Sequence, residues 1–232
     1  MGVPFLDRHD AGRQLASRLH HLAGRPDVIV LGLARGGVPV AAEVARALMA
    51  PLDVLVVRKL GVPGHEEFAM GAIASGGVRA LNDDVIRGLR ISSDLLDAVT
   101  AKERRELERR EQRYRRGRSF PDLRGRTVIL VDDGVATGSS MLAAVHALRQ
   151  HRPTAIIAAT PVMSEAAQRL LSQAADRCET VAVPEPFQAV GLWYYGFDQT
   201  TDEEVRTLLQ QAAERETVNQ AQDQEWRHAV RS

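Results

Sequence analysis

The chain lacks most of what would commit it to a membrane, an oxidising compartment or a polyanion. Its one cysteine, Cys178, rules out an internal disulfide. Placed just before an apolar strand, that thiol reads as a small buried hydrophobe in a reducing cytoplasm. No apolar stretch approaches the length of a membrane span. Asp7, Arg8, His9 and Asp10 stand where a signal peptide needs an apolar run, so the expectation is a soluble, cytoplasmic protein with no membrane partner. Thirty basic and thirty acidic side chains cancel, and no global field draws the chain to nucleic acid. Aromatic residues number only ten. There is no internal repeat, no Walker glycine loop with its lysine and no Gly-x-Gly-x-x-Gly, which removes two common nucleotide-binding turns.

What is present is an alternation of strands and helices. Ala11, Leu15, Leu19 and Leu22 mark one face of an opening helix. Val28 to Leu33 reads as a strand, Val38 to Met49 as a helix with Pro39 near its first turn, and Leu52 to Val57 as the next strand. Gly71 to Ser75 and Val78 to Leu81, joined by Gly76-Gly77, read as a hairpin. Beyond Val128 to Val131 come a helix near 139–150, a strand at 155–160, a helix at 164–175 and a strand at 180–183. The order predicts an α/β fold, a doubly wound and mainly parallel sheet with right-handed crossovers. At 232 residues it suits one domain spanning 1–232, with a helical insertion (92–118), a small C-terminal hood (184–200) and a helical tail (201–232).

The segment from Thr127 to Ser140 is the most informative. Four apolar residues, Val128 to Val131, run into Asp132 and Asp133 and then a Gly-x-x-x-Gly-Ser-Ser turn. A strand that passes through a glycine turn into a helix gathers backbone N–H groups and the positive end of a helix dipole around one point, which suits a phosphate. Gly134 and Gly138 leave room for the anion, and Thr137, Ser139 and Ser140 add hydroxyl donors. Two acids beside an anion site make sense when the ligand also carries vicinal hydroxyls, because hydroxyls donate to carboxylates. The ordinary alternative is a strand-turn-helix with acidic turn residues and no ligand.

Val-Asp-Asp-Gly-Val-Ala-Thr-Gly-Ser-Ser (131–140) resembles the phosphoribosyl-pyrophosphate (PRPP) signature of the type I phosphoribosyltransferases. The resemblance implies that Asp132 and Asp133 hold the ribose hydroxyls and that the loop Gly134, Val135, Ala136, Thr137, Gly138 and Ser139 holds the 5′-phosphate. It further implies Mg2+ as cofactor, bridging substrate oxygens instead of sitting in a protein cage. The first strand ends in Gly32-Leu-Ala-Arg-Gly-Gly37, a second glycine-rich strand-to-helix turn. By resemblance Ala34, Arg35, Gly36 and Gly37 hold pyrophosphate, and Ala34–Arg35 is the candidate for the family's non-proline cis peptide. Taken alone, the Gly-Gly pair is more often a tight turn.

Arg58 and Lys59 read as the end of the second strand, and residues 60–68 follow without helical or strand periodicity. The family's mobile catalytic loop occupies this place, so Arg58 and Lys59 are the catalytic cations expected to neutralise departing pyrophosphate; a solvated surface loop is the alternative. Trp193, Tyr194, Tyr195 and Phe197 fall within five residues. The stretch 186–193 is similar to the base-covering hood of the hypoxanthine-guanine branch, which implies base contacts from Phe187, Val190, Gly191 and Trp193. The competing reading is a small satellite core. Two departures bear on the substrate: Ala136 stands where that branch has an aspartate, and Thr160-Pro161-Val162 offers no lysine for a 6-oxo group.

Residues 102–118 hold nine Lys/Arg against four Glu on a helical seam that Ser92 or Ser93 caps. Such a run is usually a solvated face laced with i,i+4 pairs. Two functions follow. One is a phosphoribosyltransferase that uses PRPP and magnesium to attach ribose 5-phosphate to a nitrogenous base, as a homodimer like many relatives and without nucleic acid. The other is a PRPP-sensing regulator that binds nucleic acid through the basic helix.

Overall fold

Residues 5–229 are described by a computed structural model. In chain order the elements are α1 (Arg8–Leu19), β1 (Val28–Leu33), α2 (Gly37–Leu48), β2 (Leu52–Leu55), β3 (Val57–Val62), β4 (His65–Ala74), β5 (Val78–Leu81), α3 (Asp83–Gly88), α4 (Ser93–Arg115), β6 (Thr127–Val131), α5 (Ser139–Gln150), β7 (Ala155–Val162), α6 (Glu165–Ala174), β8 (Arg177–Ala182) and α7 (Asp202–Ala229). Helix starts follow their capping chemistry: the side chains of Asp7, Asn82, Ser92 and Ser164 each accept a first-turn N–H.

Five strands form a parallel sheet in the order β2-β1-β6-β7-β8. β1 and β6 are buried along their whole length, as strands covered on both faces must be. Alternation assigns their residues to two cores. Val28, Val30, Ile129 and Val131 pack with α1, α2 and α7, through residues such as Leu15, Val44 and Val205. Ile29, Leu31, Val128 and Leu130 pack with α5 and α6, through Met141, Leu148 and Leu171. The expected doubly wound sheet is therefore present. Its order reverses between β1 and β6, and ligands of such sheets bind beyond the carboxyl ends at that reversal.

The segment after β2 departs from expectation. β2 stops at Leu55, and Arg58 and Lys59 lie inside β3, which belongs to a second, antiparallel sheet in the order β3-β4-β5. Residues 60–68, expected to be a loop, form most of a hairpin arm that turns at Pro63 and Gly64. Register shifts at Leu60/Gly61 and Gly61/Val62 interrupt the two-residue alternation, which is why no strand period is visible there. The Gly76-Gly77 hairpin is as expected, with φ of 80° and 77° at the two glycines.

One side chain fastens α4 to both sheets. Arg115, 3 % exposed, closes α4. Its Nε donates to Asp53 of β2 at 3.0 Å and one amino group donates to Glu111 at 2.5 Å. The other amino group donates to the Val54 carbonyl and, at 3.3 Å, to the Ser75 hydroxyl. Ser75 in turn exchanges hydrogen bonds with Val56 at 2.9 and 3.0 Å, so the corner between the sheets is tied at one point. Burial raises the Asp53 carboxyl above its ordinary range, while the Arg115 charge pulls it back. Removing one partner of such a buried pair costs about 3–5 kcal/mol. Arg115→Ala is therefore expected to lower the unfolding free energy by about that amount in urea titration; a loss below about 1 kcal/mol, the worth of a surface pair, would contradict the clamp.

Candidate active site

At the carboxyl end of β6 the chain places two carboxylates where little water reaches them. Asp132 accepts the N–H of Asp133 on Oδ1 at 2.9 Å. Burial pushes the Asp132 carboxyl well above the ordinary carboxylate range, and the neighbouring Asp133 charge adds to the shift. Asp133 is raised by burial and drawn back down by Arg8, whose Nε donates to Oδ2 at 2.8 Å. Next in the chain, Val135 is stitched to β7 by its N–H to the Val162 carbonyl at 3.0 Å, and Ser164 donates to the Ala136 carbonyl at 2.6 Å. Gly138, at φ 82°, starts α5 with no side-chain cap. Thr137 and Ser139 pair their hydroxyls at 3.2 Å beside it, both exposed. The Thr137 and Ser139 hydroxyls thus lie beside the uncapped start of α5, an arrangement that suits an anion.

The second glycine turn lies against this one, because β1 and β6 are neighbours in the sheet. A Cβ on Gly36 would sit 2.1 Å from Asp133 Oδ2, and one on Gly37 2.4 Å from the Val131 carbonyl oxygen. Only glycine lets the two turns approach this closely. The Ala34–Arg35 peptide is cis, as the resemblance implies. Arg35 is restrained from outside by Asp202, 3.8 Å away at the start of α7.

Between the turns opens a cleft of 540 Å3, lined by Ala34, Arg35, Gly36, Lys59, Asp132, Asp133, Ser139 and Ser140, and walled by Arg8, Phe197, Gln199 and Thr200. Strand alternation separates the two expected cations. Val57 and Lys59 face the cleft, whereas Arg58 turns to α4 and pairs with Glu103 at 2.6 Å. Lys59 is thus brought to the acids and Arg58 is not. A second hollow of 440 Å3, lined by Arg25, Arg46, Arg126 and Arg215 among others, lies at the opposite, amino-terminal edge of β1 and β2, far from both turns.

The residues expected to hold a base are not brought to this cleft. Val190 lies over Gly134, where a Cβ would come within 2.3 Å of Val190 Cγ1. Phe187 and Trp193 pack on a small cluster with Phe5, Ala11, Val162 and Tyr194. Gly191 lies beside Phe197. Tyr194 is itself buried and donates to the Asp133 carbonyl at 2.5 Å, and the 193–196 backbone bridges to Phe5 and Leu6. The satellite-core reading therefore describes Tyr194, while Phe197 reaches the cleft. Sequence reasoning missed Arg8, Gln199 and Thr200. For Arg8 a signal existed: it stands in helical register with Ala11, Leu15 and Leu19, a charge on the apolar face of α1.

The glycines make a graded test. An added methyl at Gly134 meets the movable end of a side chain, whereas at Gly37 it meets backbone of a buried strand. Gly134→Ala is expected to cost about 1–3 kcal/mol of stability as Val190 is displaced. Gly37→Ala is expected to cost more; urea unfolding giving the reverse order would contradict this packing.

The sequence profile of the phosphoribosyl transferase domain matches residues 6–193. Two Mycobacterium tuberculosis proteins, from different strains and both named as candidate phosphoribosyl transferases, are each 50 % identical over 208 residues. Those matches cover 90 % of this chain and 47 % of each relative, so the chain spans about half the length of the curated relatives it matches. The crystal structure of TT1426 from Thermus thermophilus is 44 % identical, with a TM-score of 0.81 over 89 % of this chain and 98 % of that one. With the signature loop, the second glycine turn and the parallel sheet all inside the matched span, the chain belongs to the phosphoribosyl transferase domain family.

Proposed function

We propose that this chain transfers the 5-phosphoribosyl group of PRPP to a nitrogenous base and releases pyrophosphate. The observation that carries this reading is the convergence of two glycine turns on one carboxylate pair, with Lys59 on the same cleft. A ligand with a phosphate at each end and hydroxyls between matches that order of donors and acceptors. In the reaction a base nitrogen forms a bond to the anomeric carbon as the bond to pyrophosphate breaks, and the electron pair leaves with the pyrophosphate. Asp132 and Asp133 accept the ribose hydroxyls, the 134–139 loop and the α5 terminus hold the 5′-phosphate, and the 34–37 turn receives the pyrophosphate. Lys59 offsets the charge that grows on the leaving group.

The carboxylates are hard oxygen donors of the kind magnesium prefers, and they face the cleft where ribose oxygens would lie. Asp132 and Asp133, through the sugar they hold, are the residues that would keep magnesium here, where it would supply charge neutralisation as pyrophosphate departs. For the acceptor, Ala136 and the buried Thr160, whose hydroxyl is spent on the Val162 carbonyl at 3.1 Å, leave no side chain to read a 6-oxopurine. An adenine-like or unusual nitrogenous acceptor fits better, with the Phe197 ring as the aromatic wall. The lone half-buried Cys178 suits a cytoplasmic setting. Against the regulator, part of the basic charge on α4 is already matched, by Glu106 with Arg109 and Arg110, Asp202 with Arg113, and Asp53 and Glu111 with Arg115.

Calorimetry with magnesium is expected to show PRPP binding that a double Asp132→Ala, Asp133→Ala change removes, each lost charge-assisted bond costing about 1.5–3 kcal/mol; unchanged affinity would sink the assignment. Pyrophosphate release from PRPP should be assayed against adenine, guanine, hypoxanthine, xanthine, uracil and orotate, and strong hypoxanthine or guanine turnover would overturn the acceptor reading. Lys59→Ala is expected to cut turnover by about tenfold or more with PRPP affinity nearly kept; equal losses in both would move Lys59 to ground-state binding.

A further inference from the structure

Arg8 is the cation nearest the signature acids, yet it comes from the far end of the chain. Its side chain is 12 % exposed and makes three contacts: Nε to Asp133 Oδ2 at 2.8 Å, one amino group to the Asp198 carbonyl at 2.6 Å, and the guanidinium over the Phe197 ring at 4.0 Å. Asp133 Oδ1 has no such partner among the described residues. On the wall beyond, the Thr200 hydroxyl is buried without a hydrogen-bond partner, although buried hydroxyls are nearly always bonded. The segment that Arg8 holds is therefore poised at the cleft and incompletely satisfied.

We propose that Arg8 is the positioning residue of the ribose subsite: it fixes Asp133 by one oxygen, leaves the other for a sugar hydroxyl, and ties that acid to the wall formed by Phe197, Gln199 and Thr200. The inference rests on the reading of the cleft as a PRPP site. The geometry is selective because a single contact from Nε occupies one carboxylate oxygen, whereas a fork-on-fork pair would occupy both. A second amino group spent on the Asp198 carbonyl and the stacking on Phe197 prevent the guanidinium from rotating into that bidentate pose. The same cation draws the Asp133 carboxyl back toward ionisation beside Asp132, against the burial that raises it. Other charged or titratable groups facing Asp133 are Asp132 at the end of β6, the Tyr194 phenol from the hood, and Arg35 and Lys59 across the cleft.

The sign of the pH effect follows. With Oδ2 accepting from Arg8, a proton on Asp133 sits on Oδ1 and turns that oxygen from a charged acceptor into a hydroxyl donor, so affinity for the sugar falls as Asp133 protonates. Without Arg8 that protonation occurs at higher pH, and affinity is lost nearer neutrality. The test is calorimetric titration of the full chain with ribose 5-phosphate and with PRPP, magnesium present, from about pH 5 to about pH 8. Wild type, Arg8→Gln and Arg8→Lys are compared. Arg8→Gln is expected to weaken sugar-phosphate binding about tenfold near neutral pH, to move the acid limb upward, and to recover toward wild type at the alkaline end. Arg8→Lys should restore part of the neutral-pH affinity.

Equal affinities and equal acid limbs in all three proteins would overturn the proposal while leaving the PRPP reading in place; no sugar-phosphate binding by wild type would overturn both. If Arg8→Gln instead loses inorganic pyrophosphate more than ribose 5-phosphate, with no shift of the acid limb, Arg8 is an anion ligand and the proposal fails. Should the variants not fold, the carboxyl carbon-13 resonance of Asp133 in wild type decides. It should report an ionised acid at neutral pH that responds to ribose 5-phosphate, and a protonated or unresponsive acid would refute the positioning role.

Discussion

Two carboxylates side by side at the end of a buried strand resist being charged together, and the surrounding structure is organised by that constraint. Burial pushes both Asp132 and Asp133 toward neutrality, and the Asp133 charge pushes Asp132 further the same way. A hydroxyl-binding pair needs at least one ionised member, so a cation and N–H donors must reach the acids without filling the space meant for ligand. The chain answers with a neighbouring N–H on Asp132, one contact from Arg8 on Asp133, and a glycine turn laid directly against the outer acid. The closeness of β1 and β6 in the sheet is what puts all of these within reach.

Local chemistry made much of this legible in the sequence. Runs such as Val128 to Val131 read as buried strands because a sheet covered on both faces suits an unbroken apolar, mostly β-branched run, and Ser92, one of two serines that offered a cap, does cap its helix. The two glycine turns carried their own explanation, since strand, glycine and helix in that order build an anion cradle. What stayed hidden depends on distance or on irregularity. Arg8 meets Asp133 across 125 residues, which no local pattern encodes. The stretch from Leu60 to Phe68 concealed its strands because the register shifts break the two-residue period through which strands are recognised. The packing of Phe187 and Trp193 stayed hidden for another reason: an aromatic cluster near a strand end looks the same whether it faces a ligand or packs against Phe5.

The two sheets divide the labour. The parallel sheet supplies fixed loops, and the antiparallel arm delivers one lysine to them from above. Arg115 connects the two by consuming its donors on β2, on its own helix and at Ser75. Helix α4 therefore acts as a brace for the arm, and its pairing of Arg58 with Glu103 occupies the arm's far face, leaving Lys59 to the near one.

That arrangement bears on how the arm tolerates changes in length. Between Val57 and Leu60 the strand is in strict register with Ala74 to Gly71, so each residue's facing is fixed by parity. Beyond Leu60 the ladder already accommodates unpaired residues on the β4 side. One residue gained or lost near the tip would be absorbed there as a slightly longer or shorter bulge. The same change between the Val56–Ser75 corner and Lys59 would exchange the two cations, presenting the arginine to the cleft and the lysine to Glu103. The reach of this arm can thus change from its tip, while the short stretch at its base is held to a fixed count.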